Sequence, residues 1–112
     1  DAAAASRLPP NVMVYHISGP LFFATVERTL DRTAFLRNRI DTLILDLQQV
    51  PLIDMTGLVG IKNLLTGDAL AGKRIILCAK PEVLAKILQK LSGEGIVPET
   101  AASVDEAIAK AA

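Results

Sequence analysis

The sequence is short of net charge, of cysteine and of long apolar runs, and each shortage excludes a class of function. Lys plus Arg and Asp plus Glu number 12 each in the 112-residue chain, so no global positive field attracts nucleic acid or an anionic membrane surface. The single cysteine, Cys78, can form neither an intrachain disulfide nor a cysteine-rich metal site. The longest apolar stretches, such as 75–79, are far shorter than the roughly 20 residues that span a bilayer. The chain is therefore predicted to be one small soluble domain.

Groups that could catalyse a reaction or bind a metal are equally scarce. His16 has no second histidine or carboxylate at ligand spacing, so it is predicted to lie packed or solvated beside the core. Cys78 lies in an apolar segment without a CxxC companion, which predicts an inert, buried thiol. No serine has a GxSxG neighbourhood. The segment 57–62 has neither the glycine spacing nor the Lys-Ser/Thr pair of a phosphate loop. The sequence thus predicts no catalytic residue, no metal ligand and no cofactor, and the chain is not expected to be an enzyme.

The first 11 residues differ in character from the rest. They are rich in alanine, lack an initiator Met and a secretory pattern, and reach Pro9-Pro10, which favours extended backbone. We therefore expect a linker or an expression remnant at 1–11 and one domain at 12–112, cut from a longer protein.

Apolar patterning predicts alternating strands and helices. Strands are predicted at 12–17, 40–47, 75–79 and 96–97, and the nearly continuous apolar run at 40–47 is typical of a central strand covered on both faces. Helical periodicity predicts one helix from Phe23 to about Asn38, a second ended by Gly72, a third opened by Pro81, and a last one capped by Ser103 and Glu106. This order predicts an α/β fold with a largely parallel sheet flanked by helices.

The segment Asp54-Met55-Thr56-Gly57 lies where an apolar strand-like stretch meets the second helix. Free backbone amides at a helix start suit a carboxylate or a phosphate. Asp54 can cap the helix, Thr56 presents a hydroxyl near its positive end, and Gly57 lets another backbone approach closely. A plainer interpretation remains open at this point, in which Asp54 is only an N-cap and Thr56 only a polar residue of the first turn.

This turn, taken with the earlier segment 17–24 (ISGPLFFA), resembles the STAS domain of sulfate transporters and anti-sigma-factor antagonists. The resemblance covers about Val12 to the C-terminus. The Gly-Pro-Leu-Phe-Phe-Ala stretch is most similar to STAS domains appended to SulP (SLC26-type) anion transporters, whereas stand-alone antagonists usually carry a polar, acidic segment there. The resemblance implies a mixed sheet of four to five strands, antiparallel at its first strands and otherwise parallel, with four to five helices.

The function that the resemblance implies is that of a cytoplasmic regulatory and interaction domain. It would belong to a SulP-type secondary anion transporter of the sulfate, bicarbonate or dicarboxylate class, at the cytoplasmic face of the inner membrane. The implied partners are the transmembrane domain of the same polypeptide, a cytosolic regulatory protein and a second copy through the full-length transporter. A weak nucleotide or small-anion contact at Asp54, Thr56 and Gly57 is a further expectation. Binding of nucleic acid is not expected. Met55 and Leu58 are expected on the partner surface.

The alternative is a free-standing anti-sigma-factor antagonist switched by phosphorylation. In the antagonists a serine of an Asp-Ser-Ser-Gly turn is phosphorylated, and the matching position here is Thr56. Met55 and Thr56 replace the two serines, so only the second hydroxyl is retained.

Overall fold

The computed structural model describes residues 10–34 and 38–112, which form four strands and four helices in alternation. In chain order the elements are β1 (Val12–Ser18), α1 (Phe23–Ala34), β2 (Thr42–Gln49), α2 (Met55–Thr66), β3 (Arg74–Ala79), α3 (Pro81–Ser92), β4 (Glu99–Ala101) and α4 (Val104–Ala111). The predicted α/β alternation is confirmed. The predicted linker lies mostly outside the described residues.

The described strands form one sheet in the order β1-β2-β3-β4. All three neighbouring pairs are parallel, so the antiparallel pairing implied for the first strands does not occur among the strands of residues 10–34 and 38–112. β2 pairs on both sides, and its residues from Thr42 to Leu47 are all buried, which confirms the predicted central strand. Burial on both faces explains the near absence of polar alternation in this strand.

The two faces of the sheet carry separate apolar clusters. α1, α2 and α3 cover one face, where Val26, Ile61 and Ile87 pack with residues of the first three strands. α4 covers the other face, where Ala107 and Ile108 pack with a smaller set that includes Ile44, Ile76 and Cys78. The alternation in β1 therefore directs Met13, Tyr15 and Ile17 to the first face and Val12 and Val14 to the second, as the sequence predicts.

The central strand is shifted by two residues from its predicted 40–47, the predicted helix end near Asn38 adjoins residues outside the described ranges, and two other boundaries are wrong by more. α2 ends at Thr66 rather than near Gly72, because the chain turns at Gly67 and brings Leu70 into the core. Gly72 instead takes a φ of 80° in the turn that leads to β3, a conformation that favours glycine. The last strand is Glu99–Ala101 and not 96–97, since Val97 is 90% exposed while Ala101 is buried beside Cys78.

The predicted caps of α3 and α4 agree with the structure. Pro81 occupies the first turn of α3, and Gly93 follows its last residue. At α4 the Ser103 hydroxyl accepts a hydrogen bond from the Glu106 amide, and the Glu106 carboxylate accepts one from the Ala102 amide. These reciprocal bonds satisfy two amides that have no partner within the helix.

Candidate functional site

Asp54 is the N-cap of α2 and organises the turn around it. Its backbone is extended, at φ −97° and ψ −179°, and its Oδ1 accepts hydrogen bonds from the Gly57 amide at 2.8 Å and the Thr56 hydroxyl at 2.7 Å. The Thr56 hydroxyl and then the Gly57 amide hold the pKa of Asp54 below its ordinary value of 3.8, because both bonds favour the ionised carboxylate. The capping role expected from residue type is thus present in the structure.

Thr56 uses its hydroxyl in two directions. It donates its single hydrogen to Asp54 Oδ1 and accepts a hydrogen bond from the backbone amide of Phe23 at 3.1 Å. Phe23 is the first residue of α1, so one side chain joins the starts of two helices that are 33 residues apart in sequence. The hydroxyl therefore has a structural role in addition to any regulatory one.

Backbone bonds extend this connection along the chain. The Leu21 amide donates to the Leu52 carbonyl at 3.0 Å, and Leu21 and Ile53 form an isolated parallel bridge. The Gly19 amide donates to the Gln49 carbonyl at 3.2 Å. The segment after β1 therefore runs beside the segment after β2, so the two sequence motifs meet in the fold.

Gly57 and Gly60 permit close packing at this junction. A Cβ on Gly57 would lie 2.2 Å from the Leu21 carbonyl oxygen, and a Cβ on Gly60 would lie 2.9 Å from the Val26 side chain. Neither distance is tolerated by a real side chain. Gly57 therefore admits the backbone that leads into α1, and Gly60 admits α1 itself.

Large apolar side chains are exposed around the turn. We call this set the turn-side apolar surface, and it consists of Phe22 (44% exposed), Phe23 (36%), Leu52 (46%), Met55 (64%) and Val59 (37%). The bonds from Leu21 to Leu52 and from Phe23 to Thr56 bring the two chain segments side by side, and Val59 lies one helical turn after Met55. Single exposed apolar residues are ordinary, but such a cluster is typical of an interaction site.

A groove next to this surface runs between α2 and α3. It has a volume of about 270 Å³ and is lined by Met55, Leu58, Lys86, Gln89 and Lys90. Leu58, which the sequence analysis places on the partner surface, is half-buried and packs against the core, while its neighbour Val59 is exposed. The lining of the groove thus combines two apolar side chains with two lysines and a glutamine.

His16 has a partner that its local sequence does not reveal. Its Nδ1 lies 2.6 Å from Asp46 Oδ2, and the two residues are paired in the register of β1 and β2.

Cys78 is the register partner of Asp46 across the neighbouring strands β2 and β3. Burial, helped by the negative charges of Asp46 and Glu106, raises the pKa of the Cys78 thiol to about 11, so the thiol is protonated and unreactive near neutral pH.

The described part of the chain contains no cluster of three or more His, Cys, Asp and Glu side chains suited to a metal ion. Among the helices of residues 10–34 and 38–112, none combines the length and apolar character needed to cross a membrane.

We expect the stability difference between the wild type and Asp54→Asn to depend on pH. The folded-state pKa of Asp54 is lowered, so its carboxylate stabilises the fold above the unfolded-state value near 3.8, and this contribution is lost as the pH falls through the folded-state pKa. Urea unfolding between pH 7 and pH 2 measures the effect. The wild type should be the more stable at pH 7, and the two curves should converge in acid. A difference that is constant across this range would contradict the prediction.

Comparison with protein families identifies the class of this domain. The STAS domain family matches residues 3–107, and the chain belongs to that family. STAS domains are as a class regulatory and interaction domains. A comparison with curated protein sequences gives no significant match.

Solved STAS structures share the fold. The STAS domain of a SulP transporter from Vibrio cholerae superposes with a TM-score of 0.76 at 20% identity, over 99% of this chain and 95% of that one. A sulfate transporter family protein from Wolinella succinogenes gives 0.74 at 23% identity, over 93% and 87%. The anti-sigma factor antagonist SpoIIAA in its unphosphorylated form gives 0.67 at 18% identity, over 93% and 92%. At these identities the similarity establishes the fold. The similar structures include both transporter domains and an antagonist.

Proposed function

We propose that this chain is the cytoplasmic regulatory and interaction domain of a SulP-type secondary anion transporter. The turn-side apolar surface is the observation that supports the proposal best. Its five side chains surround the Asp54 turn, and Asp54 is the only charged residue from Val50 to Ile61. A surface that is depleted of charge and rich in aromatic residues and Met is suited to the centre of a protein interface. The transmembrane domain of the same polypeptide is the partner we expect there.

The groove beside the turn-side apolar surface adds polarity to this interface. Lys86 and Lys90 line it one helical turn apart on α3, while Met55 and Leu58 supply its apolar part. Apolar side chains with charged residues beside them are the groups from which docking surfaces are usually built. In this proposal the anion crosses the membrane through the transporter core, and this domain takes part in assembly and regulation.

The proposal is tested in the full-length protein with Met55→Asp and Phe22→Asp. Each places a charge on the turn-side apolar surface at an exposed side chain outside the buried core cluster, so the fold should persist. We expect association of the domain with the transmembrane part to weaken at least tenfold, or about 1.4 kcal/mol, since apolar anchors dominate interface energies. Co-purification of separately expressed parts and anion uptake in vesicles measure the two consequences.

Val97→Asp is the matched control, because Val97 is 90% exposed and lies in the loop before β4, away from the turn. It should leave association and uptake unchanged. Unchanged association in Met55→Asp and Phe22→Asp, with the domain folded, would refute the surface assignment. An upstream reading frame without membrane-spanning segments would refute the transporter assignment.

A free-standing antagonist is the second candidate, and the exposed position of Thr56 favours it. Phosphorylation there would add about two negative charges beside the Asp54 carboxylate and remove the hydrogen that Thr56 donates to it. The link to Phe23 would be disturbed in the same event. Binding of an anti-sigma kinase to the wild type but not to Thr56→Glu would support this candidate, and equal binding by both would contradict it.

A further inference from the structure

The flank of α1 that faces away from α2 forms a polar cleft with the end of β1. The cleft has a volume of about 160 Å³, and its lining includes Tyr15, His16, Ser18, Thr25, Arg28 and Arg32. The opposite flank of α1 packs on α2 through Val26 and Gly60. The cleft is therefore separate from the Asp54 turn and from the turn-side apolar surface.

Two arginines give the cleft its charge. Arg28 and Arg32 are four residues apart on α1, which makes them neighbours on one helix face. Among residues 10–34 and 38–112, no carboxylate lies within 4.0 Å of either guanidinium, whereas Arg74 is paired with Glu99. Like charges at this spacing repel, so an anion between them would be stabilised and would relieve the repulsion.

Hydrogen-bond donors complete the cleft. Arg32 Nη1 donates to the Tyr15 hydroxyl at 3.3 Å, which leaves the phenolic hydrogen free to point elsewhere. Ser18 and Thr25 are polar residues of the same lining. The Thr29 hydroxyl also lies in the lining, but its hydrogen is already donated to the Thr25 carbonyl within α1. Two guanidinium groups and the Tyr15 hydroxyl thus line one small cleft as donors.

We propose that this cleft binds a divalent tetrahedral oxyanion, free sulfate or phosphate, between Arg28 and Arg32. Guanidinium groups bind such oxygens by charge-assisted, often bidentate hydrogen bonds. Two positive charges match a divalent ion better than a chloride or a single carboxylate. The volume of the cleft holds one such ion and is too small for a nucleotide, so the ligand is the inorganic ion itself.

The test is a titration of the 112-residue chain with sodium sulfate and with sodium phosphate, at an ionic strength held constant with sodium chloride. Amide resonances of Ser18 and Thr25 should shift saturably, with a dissociation constant on the order of 1 mM from two charge-assisted contacts. Arg28→Gln and Arg32→Gln should each weaken binding about tenfold. Arg39→Gln removes the same charge outside the cleft and should have no effect.

The same oxyanion chemistry exists on phospholipids, and a second measurement separates the two sources. Sedimentation with vesicles of phosphatidylcholine and phosphatidic acid should show no binding that depends on Arg28. Vesicle binding lost in Arg28→Gln, without saturable shifts from free sulfate or phosphate, would overturn the proposal in favour of a lipid headgroup. Shifts that do not saturate, or that persist in both arginine variants, would overturn it altogether. Neither result depends on whether the domain belongs to a transporter.

Discussion

Gly57→Ala should destabilise the domain by about 3 kcal/mol, which is large for the addition of one methyl group. The new Cβ would lie 2.2 Å from the Leu21 carbonyl oxygen and 2.9 Å from Ile53 Cγ1. The Leu21 backbone cannot retreat easily, because its amide is bonded to Leu52 and it is bridged to Ile53. Alanine is the better helix former by about 1 kcal/mol, but this gain offsets only part of the overlap.

Thermal and urea unfolding measure this effect, and the melting temperature should fall on the order of 10 °C. Gly93→Ala is the matched control. Gly93 has helical φ and ψ, and its added Cβ would meet nothing nearer than 3.6 Å. That variant should stay within about 0.5 kcal/mol of the wild type. Equal stability of the two variants would mean that the approach of Leu21 to α2 is not as close as the structure places it.

Three substitutions at Thr56 should separate the structural role of its hydroxyl from the effect of charge. Thr56→Ser keeps the bonds to Asp54 and Phe23 and should be close to the wild type. Thr56→Val removes both bonds and should cost about 1 kcal/mol. Thr56→Asp should cost more than Thr56→Val, because it also brings a second carboxylate next to Asp54, although a negative charge in the first helical turn is favourable by itself.

Urea unfolding of the three variants at pH 7 measures this order. Partner association should fall at least tenfold in Thr56→Asp and remain near the wild type in Thr56→Ser. The Val variant decides which effect dominates association. If Thr56→Val also loses binding, the hydrogen bonds that join the two helix starts are required for association. If Thr56→Val keeps binding, the negative charge of Thr56→Asp is what prevents association. Stability that is equal in all three variants would contradict the hydroxyl's structural role.

The local parts of this fold were predictable from the sequence because they depend on residues close in the chain. Alternation in β1, the continuous apolar run of β2 and the periodicity of α1 each report which faces are buried. The caps at Asp54 and Ser103 follow from side chains that accept hydrogen bonds from amides three residues ahead. The α/β class follows from the order of these elements.

The contacts that define the site depend on tertiary structure and were not predictable from local patterns. The Thr56 to Phe23 bond joins residues 33 apart, and the His16 to Asp46 pair joins residues 30 apart through strand register. The error at 96–97 has the same origin, since two apolar residues favour a strand locally while pairing with β3 selects Glu99–Ala101. The apolar character of Leu58 and Val59 also does not indicate that Leu58 is half-buried while Val59 is exposed.

The bonds between the Gly19–Phe23 segment and the Asp54 turn have a consequence for chimeras of STAS domains. The two segments are distant in sequence, yet the Leu21 backbone, the Gly57 gap and the Thr56 hydroxyl fit one another. A transplant that replaces Gly57 would place a side chain against the Leu21 carbonyl, and one that removes the Thr56 hydroxyl would take this acceptor from the Phe23 amide. In this chain the two segments therefore form one unit, and we expect an exchange of both together to preserve the fold better than an exchange of either alone.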